Sequence, residues 1–288
     1  MKNLAEILLR AGKEHWAPGH FNASELDQMR AIVEACKEVG SPAIIGASEG
    51  ERKHLGLLEA VALRDVFRDE YGLPVFLNAD HTKSVDAAKK AIDAGFDSIH
   101  IDLSAESFDK NVAGTKEIVA YARSKGPDIN VEGELGYLAG ESKIQHEKIK
   151  VNPEDYTKPE EAARFVAETD IDRLAIAVGN IHGISLDEPD LDIERIRQIR
   201  AAVPERVAIV LHAASGIPDD QIRAAIEAGI ANIHINTDLR VAFVGELKKS
   251  IAEHLDEAAM YKLDASAIDA MRGVIKEKLR LFGAVDRV

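Results

Sequence analysis

Short apolar, β-rich runs alternate with helical stripes along the whole chain. The runs fall at 17–22, 43–48, 75–80, 98–103, 129–135, 173–179, 207–213 and 231–236. Between and after them, apolar positions recur at helical spacing near 24–39, 52–72, 83–94, 107–125, 158–168, 191–203, 218–228 and 239–255, and again near 264–282. Strands that alternate with helices require a parallel sheet, and eight repeats predict a closed barrel. The expected fold is therefore α/β, a (β/α)8 TIM barrel. The amphipathic stripe MKNLAEILLRAGKEH adds a helix before the first strand, and 264–282 adds one after the last unit. AIDAGFDSIHID at 91–102 returns as AIEAGIANIHIN at 225–236, so the fourth and eighth units echo each other. No Pro/Ser/Gly-rich linker divides the chain, so 1–288 is expected to be a single barrel domain. The polar stretch 137–157 lacks periodicity and follows the fifth strand. It suits a mobile lid and a plain surface loop equally.

Composition narrows the class. Of 288 residues, 46% are hydrophobic and 30% charged, with a net charge of −14. That acidity argues against nucleic acid and anionic membranes as partners. No apolar run reaches the ~18 residues of a membrane span. The N-terminal stripe carries charges and no small-residue cleavage site, so it reads as a helix rather than a signal peptide. The lone Cys36 excludes an internal disulfide framework and suits a reducing cytoplasm, and its helical setting reads as core.

The chemistry sits at strand ends. His81 closes VFLNADH, His182 follows LAIAVGN by one residue, and His212 closes VAIVLH. Singly, each reads as a hydrogen-bonded core histidine. Three at equivalent strand ends point to a divalent-metal site, because a barrel brings those ends together. Asp80 is either an orienting partner of an imidazole or a general acid/base. Glu132 and Glu134 share one face of the fifth strand, where a cation makes two buried carboxylates tolerable. Asp102 and Ser104 extend that polar rim. The turns GNIHG, HAASG and NTD lie where barrels commonly hold phosphate, with Ser215 and Thr237 as candidates. Thr237 or Asp238 also suits the N-cap of the next helix. None of the eight strand runs contains lysine, so a Schiff-base mechanism lacks its nucleophile.

In order and spacing, the blocks LPVFLNADH, SIHIDLS, VEGELGYLAGE, AVGNIHGI, LHAASGIPDDQIRAAIEAGI and INTDLR resemble the class II, metal-dependent fructose-bisphosphate aldolases and the related tagatose- and ketose-bisphosphate aldolases. The resemblance starts at HFNASELDQMRAIVEACKEVGSPAIIGASEGE and covers nearly the whole chain. It implies His81, His182 and His212 as ligands of a catalytic divalent ion, usually zinc. Glu134 would be an additional ligand, and Asp102 and Glu132 would mark a second or displaced metal position. It implies Asp80 as the acid/base for the C4 hydroxyl. Gly183, Ser215 and Thr237 would hold the ketone-side phosphate, with Ala213, His234 and Asn236 alongside and a monovalent cation (Na+ or K+) in some members. Asn22 and Ser48 match substrate-side positions. The implied activity is reversible cleavage of a ketose 1,6-bisphosphate, foremost fructose 1,6-bisphosphate, to dihydroxyacetone phosphate and glyceraldehyde 3-phosphate. The implied setting is cytoplasmic glycolysis, in a homodimer or homotetramer.

The chain departs from that pattern in three places. Glu141 lies in the loop that carries the second acid/base, but Ser142 follows where many members have another Glu. Ala213 and Ala214 replace the usual HGGS or HGAS sequence; an alanine at positive φ there costs on the order of 1 kcal/mol. His234 stands where Asn is usual. Rival readings are a tagatose- or other ketose-phosphate aldolase, a metal-dependent ketose-phosphate epimerase, and a barrel that binds metal without turnover.

Overall fold

The computed structural model describes residues 3–145, 151–185 and 190–288. In chain order the elements are α1 (Leu4–Glu14), β1 (Gly19–Asn22), α2 (Leu26–Val39), β2 (Ala43–Ala47), α3 (Glu49–Leu55), α4 (Leu57–Tyr71), β3 (Val75–Thr82), α5 (Val85–Ala94), β4 (Ser98–Ile101), α6 (Phe108–Lys125), β5 (Asn130–Leu135), β6 (Gly140–Ile144), a 3-10 turn at Pro153–Asp155, α7 (Pro159–Thr169), β7 (Arg173–Ile176), β8 (His182–Ile184), α8 (Ile193–Ala202), β9 (Ala208–Leu211), α9 (Asp219–Ala228), β10 (Ile230–Ile235), α10 (Thr237–Glu253), α11 (Met260–Leu263) and α12 (Ala265–Leu281). Eight strands close a parallel barrel in the order β1, β2, β3, β4, β5, β7, β9, β10. The expected TIM barrel is present, with its additional helices at both ends. Among the described residues, no helix is long and apolar enough to cross a membrane.

Local chemistry explains the boundaries. Asn3 and Glu6 form a reciprocal capping box that starts α1. The Ser84 side chain accepts from the Ala87 amide and starts α5. In the echoed units, Gly95 and Gly229 end their helices at φ 103° and 120°, a conformation that favours glycine. Two features differ from the sequence expectation. The helix expected at 52–72 is two helices, α3 and α4, divided at Gly56 with φ 91°. The stretch 137–157 contains β6, which pairs with β8 in a small separate sheet, and the 3-10 turn. Residues 146–150 of that stretch lie outside the described residues.

Two different interiors result. Between strands and helices the core is apolar and includes Ile32, Phe67, Phe96, Phe165 and Ile275, all essentially inaccessible. Each such side chain contributes roughly 1.5–3 kcal/mol by leaving water. Cys36 belongs to this layer, and burial pushes its thiol pKa up. The chain ends are tied together: α12 packs on α2 and α10, and the Ala17 amide donates to the Phe282 carbonyl at 3.0 Å beside buried Trp16. Inside the barrel the filling is polar. Asn78, Ser98, Asn130, Arg173 and Asn232 are all buried there, where barrels usually carry branched aliphatics.

Gly133 lies between the two carboxylates of β5, and a Cβ on it would stand 2.7 Å from Phe165 Cε1. Gly133→Ala should therefore displace β5 or the ring and destabilise the protein by about 1–3 kcal/mol. Urea unfolding of the variant against the wild type measures this.

Candidate active site

β3 delivers two adjacent side chains to the barrel mouth. In a regular strand, neighbours point to opposite faces. Here Ala79 pairs with Ile99 but Thr82 pairs with Ile101, so β3 carries one extra residue against β4. His81 takes the slack at φ 41°. This bulge lets Asp80 and His81 both face the interior. Arg52 of α3 braces it, donating to the Asp80 carbonyl at 2.9 Å, to Thr82 Oγ1 at 3.1 Å and to the Ala47 carbonyl.

Around this bulge the structure gathers imidazoles and carboxylates. His81 Nε2 and His212 Nδ1 face each other at 3.2 Å. That is the edge of a tetrahedron whose corners lie about 2.0 Å from a central zinc-type ion. Each ring is held from behind by a carboxylate: His81 Nδ1 by Asp102 Oδ2 at 2.8 Å, and His212 Nε2 by Glu132 Oε1 at 2.6 Å. Such outer carboxylates fix tautomer and orientation in metal sites. The His182 ring lies edge-on to His81 at 5.1 Å between centroids. It comes from β8, outside the barrel sheet. His100, on β4, adds a fourth imidazole; its Nε2 is 3.1 Å from Glu134 Oε2. Donor atoms within 4.8 Å of one another form the sets Asp80–His81–His100–His212 and His81–His100–Asp102–Glu134. His20, Asp80 and His234 are also close. However, the His20 and His234 rings stack face to face, 3.6 Å apart and 8° from parallel, so their lone pairs do not converge on one ion.

Electrostatics keeps this cluster poised. Burial pushes His182 down to about 4 and His20 to about 3, and it carries His234 well below the ordinary range as well. Neutral imidazole is the form that ligates metal; among the expected ligands burial favours it at His182, whereas at His81 burial is outweighed by Asp80 and Asp102, which shift the ring upward. Burial opposes charge on Asp80 too, but His81, His100 and His234 outweigh it and hold the carboxyl well below its usual range. Glu132 is likewise held low against burial, first by Arg173 and then by His100 and His212. Asp80 Oδ1 is buried without a hydrogen-bond partner among the described residues. An unsatisfied anionic oxygen beside facing imidazole nitrogens fits a hard or borderline divalent cation.

Most expected site residues line one cavity: Asn22, Ser48, Asp80, His81, His182, Gly183, His212, Ala213, Ser215, His234, Asn236 and Thr237. Asp102 and Glu134 lie beside His81 and His100, at hydrogen-bond or ion-pair distance. The side chain of Glu141 lies outside the described residues. Ala213 has φ 57°, the left-handed conformation anticipated for that position, and Gly183 has φ 103°. Ser215 Oγ accepts from the Asp238 amide at 3.1 Å, tying the turn after β9 to the start of α10. Asn236, rather than the expected Thr237 or Asp238, is the N-cap of α10.

The family model for class II fructose-bisphosphate aldolases matches residues 2–287. The chain belongs to that family. A Helicobacter pylori (strain J99) protein named fructose-bisphosphate aldolase is 34% identical over 309 residues, covering 98% of each chain. The solved YdjI aldolase of Escherichia coli K12 is 31% identical, with a TM-score of 0.83 over 98% of this chain and 97% of its own. The fructose-bisphosphate aldolase of Campylobacter jejuni, at 21% identity, shares the fold with a TM-score of 0.81 over 99% and 95% of the two chains. Class II aldolases are metal-dependent lyases, which accords with the donor set around His81 and His212.

Several residues of this aldolase-family site escaped the sequence reading. Arg173 carries no motif, yet its fully buried guanidinium meets Glu132 Oε2 at 2.9 Å, Asn130 Oδ1 at 2.7 Å, Asn232 Oδ1 at 3.0 Å, Asn78 Oδ1 at 3.1 Å and Ser98 Oγ. Lys83, just past β3, contacts Asp102. Arg240, which ends the INTDLR block without a role there, lines the cavity, as does Ser142. Removing Arg173 strands a buried carboxylate, so Arg173→Met should cost about 3–5 kcal/mol in chemical unfolding. Arg173→Lys, which keeps the charge, should lose less.

Proposed function

We propose that this protein is a zinc-dependent class II aldolase. It would reversibly cleave a ketose 1,6-bisphosphate, foremost fructose 1,6-bisphosphate, to dihydroxyacetone phosphate and glyceraldehyde 3-phosphate. The observation that carries this reading is the facing pair His81 Nε2 and His212 Nδ1 at 3.2 Å, with Asp80 next to it on the β3 bulge. In a chain of this family, that geometry supports metal-assisted enediolate chemistry.

His81, His212 and His182 would hold the ion, with Glu134 as an added ligand and Asp102 and Glu132 orienting rings from behind. A divalent ion there supplies Lewis-acid stabilisation of the negative charge that develops on the ketose oxygens. Asp80, kept ionised by its imidazole neighbours, takes the proton of the C4 hydroxyl. The C3–C4 bond then breaks, its electron pair entering the C2–C3 enediolate, and the aldehyde leaves. Asn22 Nδ2 donates to Asp80 Oδ2 at 3.0 Å and orients it for this step. A second acid must protonate C3, and Glu141 is the candidate. The backbone turns at Gly183, Ala213, Ser215, Asn236 and Thr237 suit a phosphate, with His234 beside them and a Na+ or K+ ion as counter-charge. Ser48 lies on the substrate side.

We read residues 1–288 as one catalytic barrel domain, working in the cytoplasm on phosphorylated ketoses and trioses. Val241, Val244, Ile251 and Leu255 leave an exposed apolar stripe along and just past α10, which supports a homodimer or homotetramer.

The deciding experiment is a coupled assay for triose phosphates from fructose and tagatose 1,6-bisphosphates, with metal analysis of the same sample. Epimerised product without triose phosphates would select the epimerase reading. Chelation should abolish cleavage, and zinc or cobalt should restore it; activity in metal-free protein would sink the proposal. Asp80→Ala should retain metal and lose at least about 10²–10⁴ in kcat. Borohydride with substrate should trap no adduct by mass spectrometry, since no lysine lies on a described barrel strand.

A further inference from the structure

Among the described residues lining the cavity, Arg240 is the only lysine or arginine. Its guanidinium is already engaged. Nη2 donates to Glu51 Oε1 at 2.6 Å, and Nη1 to the Ser142 carbonyl at 3.3 Å. Glu51 is a buried residue with little room to move. Its Oε2 accepts from the Ser48 amide at 2.8 Å and from Asn22 Nδ2 at 2.8 Å. The same Asn22 amide reaches Asp80. Since Asp80 is proposed to act at C4, the first carbon of the aldehyde half, this chain of contacts links Glu51 and Arg240 to that half of the substrate.

Resting on the aldolase reading above, we infer that Glu51 is a positioning residue that sets substrate specificity. By holding Arg240, it governs the choice between ketose 1-phosphates whose aldehyde half bears a phosphate and those whose aldehyde half is uncharged. A phosphate that reaches Arg240 meets a fixed like charge on Glu51, and Glu51 cannot swing away without stranding Ser48 and Asn22. An uncharged aldehyde end incurs no such repulsion. Glu51 thus weakens the preference for the bisphosphate that a free Arg240 would give, so the enzyme accepts neutral aldehyde halves as well.

The test measures kcat and KM with fructose 1,6-bisphosphate and fructose 1-phosphate for zinc-loaded wild type, Glu51→Gln, Arg240→Met and the double variant. Glutamine keeps an acceptor for Ser48 and removes the charge. Glu51→Gln should raise the ratio of kcat/KM, bisphosphate over monophosphate, by about tenfold or more. The gain should lie in KM for the bisphosphate, a split that mere loosening of the site would not give. It should vanish in Glu51→Gln/Arg240→Met. An unchanged ratio in Glu51→Gln, or a gain that survives loss of Arg240, overturns the inference. So does a wild-type preference for the bisphosphate of about 10⁴ or more, the level a dedicated polar site delivers, and that measurement needs no variant. If the wild type cleaves neither of these ketoses nor tagatose 1,6-bisphosphate, the aldolase reading itself fails, and this inference falls with it.

Discussion

The polar interior of the barrel is organised around one buried ion pair, Arg173 with Glu132. Two charges in a dry interior persist only when every remaining donor and acceptor is used. Arg173 meets that demand through side chains from β3, β4, β5 and β10. Those strands are locked in register by contacts that apolar packing alone would leave free to slide. The pair also faces upward: the other oxygen of Glu132 holds His212. The floor of the barrel and the orientation of a candidate metal ligand therefore share one carboxylate.

The mouth repeats this logic at smaller scale. Asp102 stands behind His81 as Glu132 stands behind His212. Imidazoles turn freely about two torsions, and a fixed partner on the far nitrogen removes that freedom before any cation arrives. Burial keeps several of the rings neutral, while their carboxylates remain charged. The site is thus a buried hollow rich in carboxylates and imidazoles, in which a divalent cation would balance the acidic groups.

Much of this was legible in the chain because period and chemistry coincide at strand ends. The eight runs gave the barrel, and His81, His182 and His212 marked its mouth. Ala213 betrayed a left-handed turn because its motif normally carries glycine. What stayed hidden depends on contacts far apart in sequence. Arg173 opens an apolar run and looks like a surface charge until four other strands surround it. The β6–β8 pair joins two short, irregular stretches about forty residues apart, so no local pattern sets His182 apart from the barrel strands. The break at Gly56 was masked by continuous helical spacing on either side. Glu51 and Arg240 are ordinary helical charges in sequence, and only the fold brings α3 and α10 together.

The extra residue in β3 has a consequence for how the chemistry withstands motion. If a candidate proton acceptor and a candidate metal ligand come from different elements, breathing of the fold changes their separation. Asp80 and His81 are consecutive residues, and the distance between their backbones is set by one peptide unit, about 3.8 Å from Cα to Cα. Packing and side-chain torsions decide where the two groups point, but a covalent bond decides how far apart their backbones stand. The barrel can flex at its rim without altering that spacing.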